Sequence, residues 1–199
     1  MLRATMDLLW ERIPDSHVWW RIADPAWGNP LDPRFAGRHG GRWNPPGSFA
    51  VLYLNQDLST ARANLNAFIA QWPYSPEDLR DDTGPTLVGC VLPRRQAVCD
   101  AHSGDGLHAA DLPATYPLYD DGKPVPHEAC QAIGVRAHAA GLRGVRARGA
   151  RTRHGDGREL AWFPASRRST ARGVEALPFT KWFRGRAAFG RSARGDKAV

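Results

Sequence analysis

Apolar and polar residues along this 199-residue chain switch between alternating and helical spacing, and the switches mark its elements. Val18-Trp19-Trp20-Arg21-Ile22-Ala23 is rich in β-branched and aromatic residues and predicts a first strand. Phe49–Leu54 predicts a second, bounded by Pro45-Pro46-Gly47 before it and Asn55-Gln56-Asp57 after it. A helix follows. Asp57 or Ser59 can cap its start, Ala61, Leu65, Phe68, Ile69 and Trp72 fall near helical spacing on one face, and Pro73 ends it. Thr86–Leu92 is nearly all apolar and predicts a third strand, and Ala97–Asp100 a shorter fourth. Ser103–Lys123 is turn-rich, with one helical turn near Leu107–Ala110. Pro126 and His127 open a second long helix, His127–Ala140, apolar on Cys130, Ile133 and Ala137, with Gly141 as its left-handed cap. Leu142–Ala147 and Leu160–Phe163 predict two more strands around the polar, basic stretch Arg148–Arg158. After Phe163 the pattern weakens, and Pro178–Phe183 is expected to dock a last segment by its aromatics.

This order of elements predicts an α+β fold, a single mixed-sheet domain over residues 1–183 with a basic, flexible tail over residues 184–199. A hydrophobic content of 42% is ordinary, and the length allows a real core. No apolar run approaches the roughly 20 residues that span a bilayer. Asp7 and Glu11 interrupt any signal-peptide core, so a cytoplasmic location and no membrane partner are expected. Cys90, Cys99 and Cys130 are odd in number and lack C-x-x-C spacing, which argues for small buried hydrophobes over disulfides or zinc. The histidines show no metal-ligand spacing, and no metal site is expected.

The net charge of +7 is uneven. Pro164–Val199 holds nine basic and two acidic residues, so the remainder is neutral with 18 of each. Within that remainder Met1–Ile133 is acidic (11 basic, 16 acidic) and Gly134–Phe163 basic (seven and two). A tail of this kind can touch nucleic acid non-specifically, or simply be solvated. No G-x-G-x-x-G follows a strand and no G-x-x-x-x-G-K-[ST] is present, so neither Rossmann nor P-loop chemistry is signalled.

The strongest chemical signal is Gly40-Gly41-Arg42-Trp43-Asn44-Pro45-Pro46-Gly47, running into the strand that holds Tyr53. Glycines let backbone approach a ligand, and an arginine fork reads phosphate through two parallel hydrogen bonds. Arg21 on its strand is a second candidate cation; for both arginines a surface or internal ion pair is the rival role. Trp43 and Tyr53 offer ring faces, or else fill the core. Asn44 can hold the loop's own turn.

With those residues in place, the chain resembles the RES-domain family, the toxin halves of RES–Xre toxin–antitoxin pairs. Four blocks carry the resemblance: Trp20-Arg21-Ile22; the Gly-Gly-Arg42-Trp43-Asn44 loop running to Tyr53; Ser59–Asn64; and His127–Gln131 through Gly144-Val145, Gly149-Ala150-Arg151 and Glu159–Phe163. Together they span roughly Val18–Pro164, and the second is the most specific. The resemblance implies an ADP-ribosyltransferase-like fold and cleavage of the nicotinamide–ribose bond of NAD+, with inorganic phosphate, water or a protein as acceptor, and silencing by an Xre-type antitoxin. It implies catalytic roles for Arg21, Arg42, Tyr53 and Asn64, and NAD+ contacts from Arg21, Gly41, Arg42, Trp43, Asn44, Tyr53, Gly149 and Arg151. The family is named for an Arg, a Glu and a Ser. Here Asn64 stands at the Glu position and Gly149 at the Ser position, where only the Gly149 amide N–H is left to approach a phosphate. Either another acid compensates, with Glu128, Asp156 and Glu159 as candidates, or the chain binds nucleotide or antitoxin without turnover. His127, at a helix start, can act as an acid or merely neighbour the cap.

Overall fold

The computed structural model describes residues 7–73, 75–152, 155–166 and 170–184. Among the described residues eight strands are formed: β1 Trp10–Arg12, β2 Trp19–Ala23, β3 Leu52–Asn55, β4 Thr86–Val91, β5 Ala97–Ala101, β6 Gly144–Arg148, β7 Arg158–Trp162 and β8 Arg172–Leu177. The helices are α1 Arg34–His39, α2 Leu58–Ile69, α3 Gly104–Ala109 and α4 His127–Ala139. All eight strands join one mixed sheet in the order β1-β5-β6-β7-β3-β2-β4-β8. The β5–β6 pair is parallel, and α3 and α4 lie in the crossover such a pair requires. The α+β, single-sheet expectation therefore holds. Among the described residues no helix is long and apolar enough to cross a membrane.

Alternation sorts the sheet's two faces. Trp20, Asn55, Glu159 and Ala147 are direct neighbours across β2, β3, β7 and β6, so they share a face. The helices pack on that face. Ala61, Leu65 and Ile69 of α2 are buried with Leu87, Leu177, Phe179 and Trp182. Cys130, Ile133 and Ala137 of α4 are buried with Val145, Ala147, Ala161 and Phe163. The opposite face buries Trp19, Leu52, Leu54, Cys90, Leu160 and Trp162 beneath connecting segments that contribute Leu31, Leu92 and Ala171. Full burial of one such side chain is worth about 1.5–3 kcal/mol.

Local chemistry sets the helix ends. Asp57, rather than Ser59, caps α2, its carboxylate accepting from the Thr60 N–H at 2.7 Å. Gly141, at φ +77°, closes α4: its N–H donates to the His138 carbonyl and that of Leu142 to Ala137, each at 3.0 Å.

The differences from the sequence reading have physical causes. The strand expected from Phe49 starts at Leu52, because the Val51 N–H donates to Pro33 O and Phe49 stacks on His138. β1 is three residues at a sheet edge, and β8 is an exposed strand burying only Leu177, so neither carries an alternating apolar signal. The last aromatics do dock: Phe179 and Trp182 are buried, the Trp182 indole donates to Pro85 O at 2.9 Å, and Arg62 of α2 donates to Trp182 O. Arg184, which the sequence reading assigned to the tail, donates to the Pro76 and Leu79 carbonyls. The expectation for residues 185–199 lies outside the described residues.

Candidate active site

The glycine-arginine loop is held from three sides. Gly40, at φ +76°, follows α1 and donates to Ala36 O at 2.8 Å. A Cβ on Gly41 would press into the Tyr53 ring, 2.7 Å from Cζ. The Tyr53 hydroxyl accepts from the Trp43 N–H at 2.9 Å and donates to Asn44 Oδ1 at 2.8 Å. The fully buried Asn44 amide donates to Ala36 O at 2.7 Å. From α4, Gln131 donates to Gly41 O at 2.9 Å, and Gly134 lets the Trp43 carbonyl sit against the helix. Between these anchors Arg42 projects, one nitrogen of its fork reaching Val125 O at 3.4 Å.

Arg42 points into a cleft of about 230 Å³ lined by Asn64, Ala67, Phe68 and Gln71 of α2, Glu159 of β7, and Ala150 and Arg151 beyond β6. At its floor runs a chain of amides. Asn55 donates to Trp20 O at 3.0 Å and accepts from Asn64 Nδ2 at 2.7 Å, and the same Asn64 nitrogen donates to Glu159 Oε1 at 2.9 Å. Burial raises the Glu159 carboxyl above its ordinary value, against the pull of Asn64, Arg42, the Ala150 backbone and Arg151. Phe68 is 57% exposed beside this group, edge-on to Trp72. The periodicity assigns Phe68 to the core stripe, but the α2 flank carrying Asn64, Ala67, Phe68 and Gln71 borders the cleft instead.

The structure thus brings Arg42, Asn64 and Arg151 together and separates the other candidates from them. Arg21 alternates with Trp20, so it faces the side of the sheet away from α2. It is 8% exposed, lies 5.4 Å from the Trp27 ring, has no protein partner for its Nε among the described residues, and desolvation lowers its pKa to about 10. Trp43 is 2% exposed and packs near Tyr116 in the core, so its ring offers no face to the cleft. Gly41, Asn44 and Tyr53 shape the loop through the contacts above; burial pushes the Tyr53 phenol up, leaving it a neutral hydroxyl. The Gly149 N–H, expected to be free for a phosphate, donates to Gly157 O at 2.8 Å. Of the candidate acids, Glu128 and Asp156 are exposed and do not line the cleft, whereas Glu159 does. His127 is exposed at the start of α4, and partial desolvation, followed by the charge of Arg42, lowers its pKa.

The sequence reading missed Phe68, which it placed on the core face, and two structural supports: Asn55, read as a turn residue, and Gly134 beneath Trp43. Their signals are contacts between distant segments, which spacing along one element does not reveal. Glu11, Asp100 and His102 also converge, each placing a ligand-type atom within 4.8 Å of the others. Glu11 already receives Arg146 Nη1 at 3.1 Å, and Asp100 accepts the N–H groups of His102 and Ser103 at 2.9 and 3.0 Å, so the trio is engaged with protein donors.

The fold has a solved counterpart. A chain of the M. tuberculosis MbcT–MbcA toxin–antitoxin complex superposes with a TM-score of 0.66 at 20% identity, over 87% of this chain and 92% of that one. No curated protein sequence matches. The RES-domain family model matches residues 12–181, which include the glycine-arginine loop, α2 and the Glu159 strand, and the chain therefore belongs to the RES-domain family.

Proposed function

We propose that this chain is a RES-type toxin-like enzyme that cleaves the nicotinamide–ribose bond of NAD+ in the cytoplasm. The observation that carries the reading is the meeting of Arg42, Arg151, Asn64 and Glu159 in one cleft with the exposed Phe68 at its edge. An arginine fork and a second guanidinium suit a pyrophosphate. The ring face of Phe68 suits nicotinamide or adenine. A cleft of this size takes one end of the dinucleotide and leaves the remainder along its open rim.

In the reaction the C1′–N bond breaks and its electron pair leaves with nicotinamide. The ring nitrogen was cationic, so nicotinamide departs neutral and asks for neither a proton nor a metal. Positive charge develops on the ribose C1′ and ring oxygen, as in glycosidases, and carboxylate and amide oxygens stabilise it. An oxygen of inorganic phosphate, or of water, then bonds to C1′; water loses a proton in doing so. Family membership and likeness in fold to a chain of a toxin–antitoxin complex support a protein partner of the Xre antitoxin type.

The test is incubation of the antitoxin-free protein with NAD+, with and without phosphate. Loss of NAD+ that accelerates with phosphate assigns the acceptor. Arg42→Ala should remove turnover. Calorimetric binding of NAD+ without any loss of it would instead select a degenerate, binding-only relative, the reading that Asn64 at the family Glu position favours.

A further inference from the structure

We propose that Glu159 supplies the catalytic carboxylate of this site, from strand β7, and that Asn64 on helix α2 is the residue that positions it. The inference rests on the NAD+ reading above and concerns where the missing family carboxylate has gone.

Three observations carry it. First, Glu159 is the one carboxylate among the described residues that line the cleft. It is aimed there by register: Glu159 is paired with Asn55 on one side and Ala147 on the other, on the helix-bearing face, while Leu160 alternates to the opposite core. Second, Asn64 is committed to holding it. The Asn64 Nδ2 donates both to Glu159 Oε1 at 2.9 Å and to Asn55 Oδ1 at 2.7 Å, and Asn55 is itself anchored on Trp20 O at 3.0 Å. A side chain whose NH2 group has these two acceptors fixes its neighbour's orientation. A Glu at position 64 would instead set two carboxylates against each other. In this chain the charge sits on the strand while the helix carries its donor. Third, the location is costly for a carboxylate. It is desolvated beside Asn64 and the backbone of Ala150, and apolar residues of the same size fold more readily in such a place. A half-buried, desolvated acid near Arg42 and Arg151 at a cleft is what transition-state stabilisation of a ribosyl cation calls for.

The groups that face Glu159 from each neighbouring element are Arg42 of the glycine loop, Arg151 beyond β6, Tyr116 before α4, and the neutral Asn64 of α2. Burial pushes the Tyr116 phenol above its ordinary value. His127 lies next to Arg42 and titrates below its ordinary value.

The experiment measures NAD+ turnover by wild type, Glu159→Gln and the exchange variant Asn64→Glu/Glu159→Gln, each across pH 4–9. Glu159→Gln keeps an acceptor for Asn64 and removes only the charge. It should lower kcat by about 10²–10³-fold with KM little changed. The wild-type acid limb should disappear in this variant, and the exchange variant should recover at least tenfold over it. Turnover by Glu159→Gln within threefold of wild type would overturn the proposal while leaving the NAD+ reading intact. So would a loss confined to KM, or an acid limb that survives the substitution and therefore belongs to His127. The wild-type profile needs no variant to fold, and a rate independent of pH from 4 to 7 also counts against the proposal. Absence of turnover by wild type would sink the NAD+ reading and this proposal together.

Discussion

Gly134→Ala sets two effects of opposite sign against each other. Gly134 lies inside α4, where alanine is intrinsically the better helix former by about 0.8–1.0 kcal/mol. On an isolated helix the substitution would stabilise. In this fold the added Cβ would lie 2.8 Å from the Trp43 carbonyl carbon and closer still to its oxygen, a contact with backbone rather than with a movable side-chain end. Overpacking of this kind costs about 1–3 kcal/mol, and a backbone obstacle puts it at the upper end. The net expectation is a loss of about 1–2 kcal/mol. At this chain length that lowers Tm by about 2–8 °C. Because Trp43 is adjacent to Arg42, relief of the clash displaces the cation, so NAD+ turnover should fall further than stability alone explains. Thermal unfolding followed by circular dichroism measures the first effect. Gly104→Ala is the control: Gly104 is also helical, but an added Cβ there meets nothing within 4 Å, so Tm should hold or rise. A higher Tm for Gly134→Ala, matching the control, would refute the claim that α4 clamps the loop.

Other expectations follow from the same contacts. Arg42→Lys keeps the charge but loses the planar fork, and should weaken NAD+ binding by about tenfold or more in calorimetry while Tm stays within about 2 °C of wild type. Trp182→Ala removes a buried ring and its hydrogen bond to Pro85, and should cost about 3–5 kcal/mol in urea unfolding. Glu159→Gln should be more stable than wild type near neutral pH. Burial raises the folded-state pKa of Glu159 above its unfolded value, so the folded state binds more protons between the two, and stability falls as pH rises through that window. The advantage of Gln should therefore vanish in acid, below the ordinary carboxylate range, when Tm is followed against pH.

The central part of the fold is written in local patterns. β2, β4, α2 and α4 each carry a run of apolar or periodic residues, and their ends carry Asp57 or Gly141. β1 and β8 are not legible, because edge strands that bury almost nothing need no apolar code. The site was legible by residue type and less so by geometry. Arg42 announces itself by its glycines, but nothing local says that Trp43 turns inward or that Phe68 turns outward. Arg21 shows the limit most clearly: the face it takes depends on which residue of β3 is paired with Trp20, a fact of register between segments about 35 residues apart. The Glu159–Asn64 contact, 95 residues apart in sequence, likewise exists only once α2 lies over β7.

The most direct test of NAD+ cleavage is release of free nicotinamide by the purified, antitoxin-free protein, followed by NMR beside the Arg42→Ala variant. Nicotinamide should accumulate with wild type, faster when phosphate is added, and not rise above background with Arg42→Ala. Folded wild-type protein that releases no nicotinamide, or an Arg42→Ala variant that releases it as fast as wild type, would contradict the NAD+ reading.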